Sequence, residues 1–99
     1  MRGLTVIVTG DDTARFDAAL TLANAQAALG GRARVYLHDA AVAVPLTGPL
    51  VDAARELGVT FIACQTALGQ YGVRLAEGVE GGGMVGVMGS LEEDRLVSV

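Results

Sequence analysis

Short β-branched apolar runs alternate along this 99-residue chain with stretches that carry helix signals. The first run covers 4–9 and ends at Gly10, the second covers 34–38 and the third covers 59–63. Strands joined by helices lie parallel, because the chain needs a helical crossover to return to the same end of the sheet. The alternation therefore predicts an α/β fold built on a parallel sheet.

The first helix is predicted over 14–29. Asp11, Asp12 and Thr13 precede it and offer N-cap oxygens, which accept hydrogen bonds from the unpaired N–H groups of a first turn. Two glycines at 30–31 suit the end of the helix, where a left-handed residue is common. Apolar residues fall on one stripe of this helix and predict its buried face. They are Phe16, Leu20, Ala23 and Ala27, with Ala19 beside them.

Proline and glycine divide the middle of the chain. We expect a loop over 39–48, and a second helix over 50–57 with Pro49 in its first turn. A short helix is predicted to begin at 65–68, directly after Cys64.

The last quarter of the chain is rich in glycine. Residues 78–83 are predicted to form a flexible turn and 84–88 a fourth strand. Ser90 and Glu93 have the spacing of a capping box for one helical turn, and 96–99 is predicted to form a fifth strand.

Composition excludes several classes of protein. A net charge of −4 argues against a nucleic-acid partner, and the absence of lysine excludes a P-loop lysine or a Schiff base. One cysteine and one histidine form neither an internal disulfide nor a His/Cys metal cluster. Without a signal-peptide layout or an apolar run near the ~20 residues of a membrane span, we expect a cytoplasmic protein without membrane, metal or cofactor.

The apolar content is high for a chain of this size. Hydrophobic residues make up 52% of the sequence, and the mean hydropathy is +0.47. A domain this small leaves much of its surface in contact with water, so we expect a sheet covered on both faces and some surface hidden in a homo-oligomer.

The candidate site follows from the predicted topology, because ligands of open α/β sheets bind beyond the carboxyl ends of the strands. Cys64 is the nucleophile at that edge, and its place before a helix favours the reactive thiolate. A small buried structural cysteine is the alternative reading. The candidate binding residues around it are Gly10, Asp11, Asp12, His38, Gln65, Thr66, Gly89 and Ser90.

Other cysteine chemistries fit the spacing less well. A phosphatase or rhodanese anion loop has an arginine five or six residues after the cysteine, where this chain has Gly69 and Gln70. A Cys–His protease would have to use His38. Peroxide reduction would leave a sulfenate that only an outside thiol can resolve.

Two further motifs lack the surrounding sequence that their usual functions require. Asp11-Asp12 is similar to the acidic pair of a receiver domain, but Cys64 stands in place of the acceptor aspartate and the required lysine is missing. Residues 81–86 match G-x-G-x-x-G but precede the predicted fourth strand, whereas a dinucleotide fingerprint follows a strand.

The segment Ile62-Ala63-Cys64, followed by Ala67-Leu68 and Gly72-Val73, resembles the active-cysteine segment of the DsrE/DsrF-like (TusD-like) family. The tail, Gly89-Ser90-Leu91 leading to 94–97, resembles the closing strand of that family. The likeness extends over nearly the whole chain. Two segments depart from the sulfur-relay branch: Gln65-Thr66 replaces apolar and alanine residues, and Gly69-Gln70-Tyr71 replaces paired arginines.

This resemblance implies a three-layer α/β/α domain over 1–99 with a five-stranded parallel sheet, assembled as homotrimers or homohexamers. It also implies a cysteine that carries sulfane sulfur as a persulfide between donor and acceptor proteins, a role that falls on Cys64 alone. The sequence therefore predicts a sulfurtransferase-like sulfur carrier. The alternative is a non-catalytic oligomeric binding module of the same fold with an inert cysteine.

Overall fold

A computed structural model describes all residues, 1–99, and contains a five-stranded sheet. Its order is β4-β3-β2-β1-β5, and every neighbouring pair is parallel. The predicted α/β fold with a five-stranded parallel sheet is confirmed. The strands are β1 (Leu4–Val8), β2 (Ala33–Leu37), β3 (Thr60–Cys64), β4 (Val79–Gly82) and β5 (Arg95–Ser98).

Four α-helices connect the strands, and the start of the predicted loop 39–48 forms a 3-10 helix (Asp39–Ala43). The Asp12 carboxylate caps the first helix, as predicted, by accepting hydrogen bonds from the N–H groups of Ala14 and Arg15 at 2.8 and 3.2 Å. Pro49 occupies the first turn of the second helix, where its missing N–H costs nothing. The helices are α1 (Thr13–Ala28), α2 (Pro49–Glu56), α3 (Gln65–Tyr71) and α4 (Met84–Gly89).

The order of the strands explains which face each helix covers. From β1 to β4 each crossover steps in the same direction, and right-handed crossovers then place α1, α2 and α3 on one face. The return from β4 to β5 crosses the sheet the other way, so α4 lies on the opposite face. The result is three unequal layers, because the second face is covered by a single helix of six residues.

Each face of the sheet has its own apolar core. The larger core lies under α1, α2 and α3, and Leu20, Val51 and Ala67 pack there against the sheet. The smaller core lies under α4 and consists of Ile7, Tyr36, Ile62 and Val87. Both faces of β1 are buried, as its unbroken apolar run predicts, and β2 is also buried on both faces.

The fourth strand and the helix after it differ from the prediction. Residues 84–88, predicted as a strand, lie in α4, and β4 lies inside the predicted turn 78–83. Strand pairing overrides local propensity here, since β4 pairs with β3 from Phe61 to Cys64. A Cβ at Gly81 would lie 2.8 Å from the Gln65 Nε2 atom, so this glycine lets the Gln65 side chain cross the edge strand.

The predicted capping box at Ser90 and Glu93 is also wrong. Ser90 follows the last residue of α4, and its hydroxyl donates to the Gly86 carbonyl oxygen at 2.7 Å. No helix begins there, because Ser90 closes one.

A buried polar cluster fastens α4 and β5 to the amino end of the sheet. The Arg34 guanidinium donates to Thr5 Oγ1 at 3.0 Å and to Ser90 Oγ at 2.7 Å. Thr5 in turn donates to Asp94 Oδ2 at 2.9 Å, and Arg34 Nε lies 3.7 Å from the same carboxylate oxygen. Arg34 therefore has both hydrogen-bond partners and a counter-charge within the fold.

None of the helices has the length and apolar character that crossing a bilayer requires.

Candidate functional site

The register between β2 and β3 places Cys64 next to His38 and diagonal to Tyr36. Tyr36 pairs with Ile62 and Leu37 with Ala63, so the next step aligns His38 with Cys64. Alternate residues of a strand share a face, and Tyr36, His38 and Cys64 therefore lie on the α4 side of the sheet. The predicted strand-to-helix junction at Cys64 is present: β3 ends at Cys64 and α3 begins at the next residue.

Cys64 is half-buried and lines an open cleft of about 350 Å³ at the carboxyl end of β2 and β3. The cleft lies between α3, the start of the 3-10 helix and the beginning of α4. Its lining includes Tyr36, His38, Asp39, Cys64, Thr66 and Met84. A small molecule or the side chain of a partner protein therefore has a path to the sulfur.

Tyr36 forms the closed end of this cleft. Its side chain is 0% exposed, and its hydroxyl has no complete hydrogen bond to any group of the protein. The ring stacks on that of His38, with centroids 5.9 Å apart and planes 29° apart. Burial raises the pKa of Tyr36 far above its usual range, and the neighbouring Cys64 raises it further. The hydroxyl therefore keeps its proton.

The pKa of Cys64 reflects opposing influences. Burial raises it, but the Tyr36 hydroxyl and the backbone N–H groups of Ala67 and Thr66 lower it by more, and the net pKa lies below the ordinary thiol value. Cys64 occupies the N-cap position of α3 without a full capping hydrogen bond, so the two N–H groups act on the sulfur as nearby oriented dipoles. The surroundings of the thiol favour its nucleophilic form.

Asp39 supplies a negative charge at the mouth of the cleft. Its carboxylate opposes ionisation of Cys64 and raises the pKa of the thiol. Asp39 has a left-handed backbone with φ of 52°, a conformation that aspartate tolerates better than most residues. It also accepts a hydrogen bond from the Tyr71 hydroxyl at 3.1 Å, which raises the pKa of Tyr71.

The structure brings only part of the predicted site together. Cys64, His38 and Thr66 line one cleft. Gln65 is adjacent in sequence, but its side chain lies over Gly81 of β4.

The other predicted binding residues lie outside the cleft. Gly10, Asp11 and Asp12 follow β1 at the same edge of the sheet but do not line it, and Asp12 is occupied in capping α1. The inclusion of Gly89 and Ser90 is wrong. They end α4 at the amino side of the sheet, where Ser90 accepts hydrogen bonds from Arg32 and Arg34.

Tyr36 was not among the predicted site residues, because an aromatic residue inside an apolar strand is usually core. The predicted strand ends give no signal for it, because aligning 34–38 with 59–63 sets His38 beside Ala63 and leaves Cys64 on the opposite face. The pairing of His38 with Cys64 follows from the register in the structure.

The G-x-G-x-x-G match at 81–86 has a different context from the one predicted. It begins in the last two residues of β4 and opens α4, so the reason given against a dinucleotide site does not hold. A physical objection replaces it. β4 is an edge strand, whereas dinucleotides bind where the strand order reverses, and here that point is β1, between β2 and β5.

The cleft offers little to an anion or a metal ion. None of the seven arginines lines it. Nowhere in the structure do three His, Cys, Asp or Glu side chains come together as a metal site would require. The reactive group that the cleft presents is the Cys64 thiol.

Comparison with known proteins finds similarity among solved structures. No protein-family model and no curated protein matches the sequence. Among solved structures, the ychN protein of E. coli superposes with a TM-score of 0.80, over all of both chains, at 20% sequence identity. The chain has the YchN fold.

Proposed function

We propose that this protein carries sulfane sulfur on Cys64 and passes it from a donor persulfide to an acceptor thiol, as a DsrE/DsrF-like sulfur carrier. The observation that carries the proposal is the cleft at Cys64, where a reachable thiol lies against the buried, unpartnered hydroxyl of Tyr36. The lowered pKa of the thiol supports it, since the thiolate is the nucleophile. The YchN fold is consistent with a small sulfur-related protein.

The chemistry needs one cysteine and no redox partner. The Cys64 thiolate attacks the outer sulfur of a donor R–S–SH, a new S–S bond forms, and the donor sulfur leaves as R–S⁻ with the bonding electron pair. An acceptor thiolate then attacks the outer sulfur of the Cys64 persulfide, and Cys64 leaves as a thiolate. Both steps are thiol exchange reactions at sulfur, in which the attacking and leaving groups are thiolates.

Mass spectrometry after incubation with cysteamine persulfide tests the proposal. The expected result is a gain of one sulfur atom, absent from Cys64→Ser and removed by cyanide as thiocyanate. Cyanide treatment is needed because a sulfinate adds nearly the same mass as one sulfur, and a sulfinate does not release thiocyanate. No gain, or a gain that persists in Cys64→Ser, overturns the proposal.

We also propose that the protein is a homo-oligomer in which a second copy covers the α4 face. Large apolar side chains are exposed there, with Val85 at 89%, Leu96 at 46% and Met88 at 39% exposure. These residues lie on or beside a layer of only six helical residues. Three exposed apolar residues around a thin layer are typical of a surface that associates. A homotrimer or homohexamer and a cytoplasmic location stay predictions.

Light scattering at micromolar concentration checks the association. We expect a particle several times the 10.1 kDa chain mass, and Val85→Asp is expected to reduce it. Leu29→Asp is the matched control, since Leu29 is 72% exposed at the end of α1, on the other side of the sheet. A 10 kDa particle, or equal effects of the two substitutions, contradicts this surface.

The alternative function is a non-catalytic oligomeric module, and the exposed apolar residues of the α4 face favour it. The two functions differ in the reactivity of Cys64. An oligomer whose Cys64 resists iodoacetamide across the whole pH range supports the module over the sulfur carrier.

A further inference from the structure

We propose that the Tyr36 hydroxyl is the hydrogen-bond donor that holds the Cys64 sulfur in its thiolate form during sulfur transfer. Its part in transfer rests on the sulfur-carrying function proposed above. The contact between the two side chains is independent of that function.

The first observation is an unused donor. Tyr36 is 0% exposed, yet its hydroxyl lacks a complete hydrogen bond. An unpaired buried polar group destabilises the fold, and a phenylalanine would avoid that cost with the same shape. A tyrosine at this position therefore needs a partner that is not present when Cys64 is a neutral thiol.

The second observation is the position of the hydroxyl. Tyr36 and Cys64 lie on the same face of neighbouring strands, and both pack against the small core under α4. They also line the same cleft. His38 stacks on the Tyr36 ring and limits its movement, so the hydroxyl stays near the sulfur.

The chemistry of sulfur explains why the hydrogen bond depends on ionisation. A neutral thiol is a weak acceptor, and the geometry here is incomplete. A thiolate carries a full charge, and hydrogen bonds to charged groups are about twice as strong as neutral ones. When Cys64 loses its proton, Tyr36 Oη–H therefore gains the partner that it lacks. The other groups facing the sulfur are His38, the N–H groups of Thr66 and Ala67, and the Asp39 carboxylate, which opposes the thiolate.

Such a donor acts in both steps of the transfer, the loading of sulfur onto Cys64 and its release. Cys64 is the attacking thiolate during loading and the leaving thiolate during release, and Tyr36 stabilises the same species in both steps. A thiolate stabilised by a hydrogen bond is more abundant near neutral pH but less nucleophilic per molecule, because nucleophilicity falls with thiol pKa at a Brønsted slope of about 0.4–0.5. Removing the donor should therefore have opposite effects at low and high pH.

The test is the rate of Cys64 alkylation by iodoacetamide as a function of pH in Tyr36→Phe and in the wild type. At pH 7 the variant is expected to react about threefold more slowly, and its midpoint should lie at higher pH. Above the midpoint it should react about two- to threefold faster than the wild type. This crossover distinguishes a donor to sulfur from a residue that only supports the fold, which would lower or raise the rate at every pH.

Tyr71→Phe is the matched control. Tyr71 lies near the same cleft, but its hydroxyl donates to Asp39 and not to Cys64. Because Asp39 opposes the thiolate, loosening it should not move the midpoint to higher pH, so we expect Tyr71→Phe to react no more slowly than the wild type at pH 7. A second experiment covers the case in which Tyr36→Phe folds poorly. The chain has two tyrosines, so in the Tyr71→Phe variant 3,5-difluorotyrosine can be incorporated at Tyr36 alone. A more acidic phenol donates more strongly, so the midpoint should move to lower pH.

The outcomes separate the two proposals. An unchanged profile in both Tyr36 variants overturns the role of Tyr36, even if Cys64 takes up sulfur. A crossover without any sulfur uptake confirms the contact and overturns the sulfur-carrying function. If both the crossover and the uptake of sulfur are observed, cysteamine persulfide should load Tyr36→Phe more slowly than the wild type at pH 7.

Discussion

Tyr71 donates a hydrogen bond from its hydroxyl to Asp39 Oδ1 over 3.1 Å, joining the last residue of α3 to the first residue of the 3-10 helix. Asp39 lines the Cys64 cleft, so the bond holds a carboxylate there. Asp39 raises the pKa of Cys64, whereas Tyr36 lowers it. The cleft thus contains groups that favour the thiolate, the Tyr36 hydroxyl among them, and one carboxylate that opposes it.

Asp39→Asn should make Cys64 more reactive at neutral pH. Removing the carboxylate removes the charge that raises the pKa of the thiol, and asparagine tolerates the left-handed backbone of this position. We expect a severalfold faster alkylation at pH 7 at most, because Asp39 is exposed and its charge is screened. Asp52→Asn in α2 is the control. A slower reaction of Asp39→Asn would contradict the electrostatic role.

The charge of the sulfur donor should matter, and cationic donors should load Cys64 fastest. Asp39 lines the cleft and no arginine does, so the site attracts positive charge and repels anions. Loading rates with cysteamine persulfide and with the persulfide of mercaptoethanesulfonate compare donors of opposite charge. The preference for cysteamine persulfide should shrink in Asp39→Asn and at high salt. Equal rates, or faster loading by the sulfonate, would show that Asp39 does not select the donor.

The sequence predicts the first three strands and α1 well because local and tertiary preferences agree there. The apolar runs end at glycine or at polar residues, and Asp12 marks the start of α1. Cys64 was placed correctly at the junction of β3 and α3 for the same reason.

The last quarter of the chain could not be predicted in this way. Met84, Val85, Val87 and Met88 give an apolar run that is typical of a strand, and 78–83 is too rich in glycine to resemble one. Pairing with β3 makes a strand of 79–82. The crossover back to β5 needs a helix over the second face, which only the complete topology shows. The error in this segment also misplaced Gly89 and Ser90.

Alkaline pH should destabilise the protein through Tyr36. The folded state raises the pKa of this residue, so above about pH 10 the unfolded chain loses a proton that the folded chain keeps. The contribution of Tyr36 to stability is therefore complete below pH 10 and declines above it, by at most about 1.4 kcal/mol per pH unit. Urea unfolding at pH 7 and pH 11 measures this loss.

Tyr36→Phe should lose less stability than the wild type between these two pH values. At pH 7 it should be as stable or slightly more stable, since the hydroxyl is buried without a full partner. Tyr71→Phe is the comparison: the hydrogen bond to Asp39 also raises the pKa of Tyr71, but this residue is 45% exposed, so its removal should reduce the alkaline loss by less than Tyr36→Phe does. A Tyr36→Phe variant with the same alkaline loss as the wild type would show that another group controls the decline.

Asp94→Asn should destabilise the fold by about 3 kcal/mol without changing Cys64. The Asp94 side chain is 6% exposed and accepts a hydrogen bond from Thr5, and it is the carboxylate paired with the buried Arg34. The substitution leaves the buried Arg34 guanidinium without its strongest counter-charge, since Glu80 and Glu92 act on it more weakly. This cluster lies at the amino end of the sheet, opposite the cleft, so the alkylation profile of Cys64 should not move.

Glu92→Gln is the control, because Glu92 is exposed and forms no ion pair with Arg34, and it should cost less than about 0.5 kcal/mol. A cost below about 1 kcal/mol for Asp94→Asn would mean that Thr5 and Ser90 alone hold Arg34 in place.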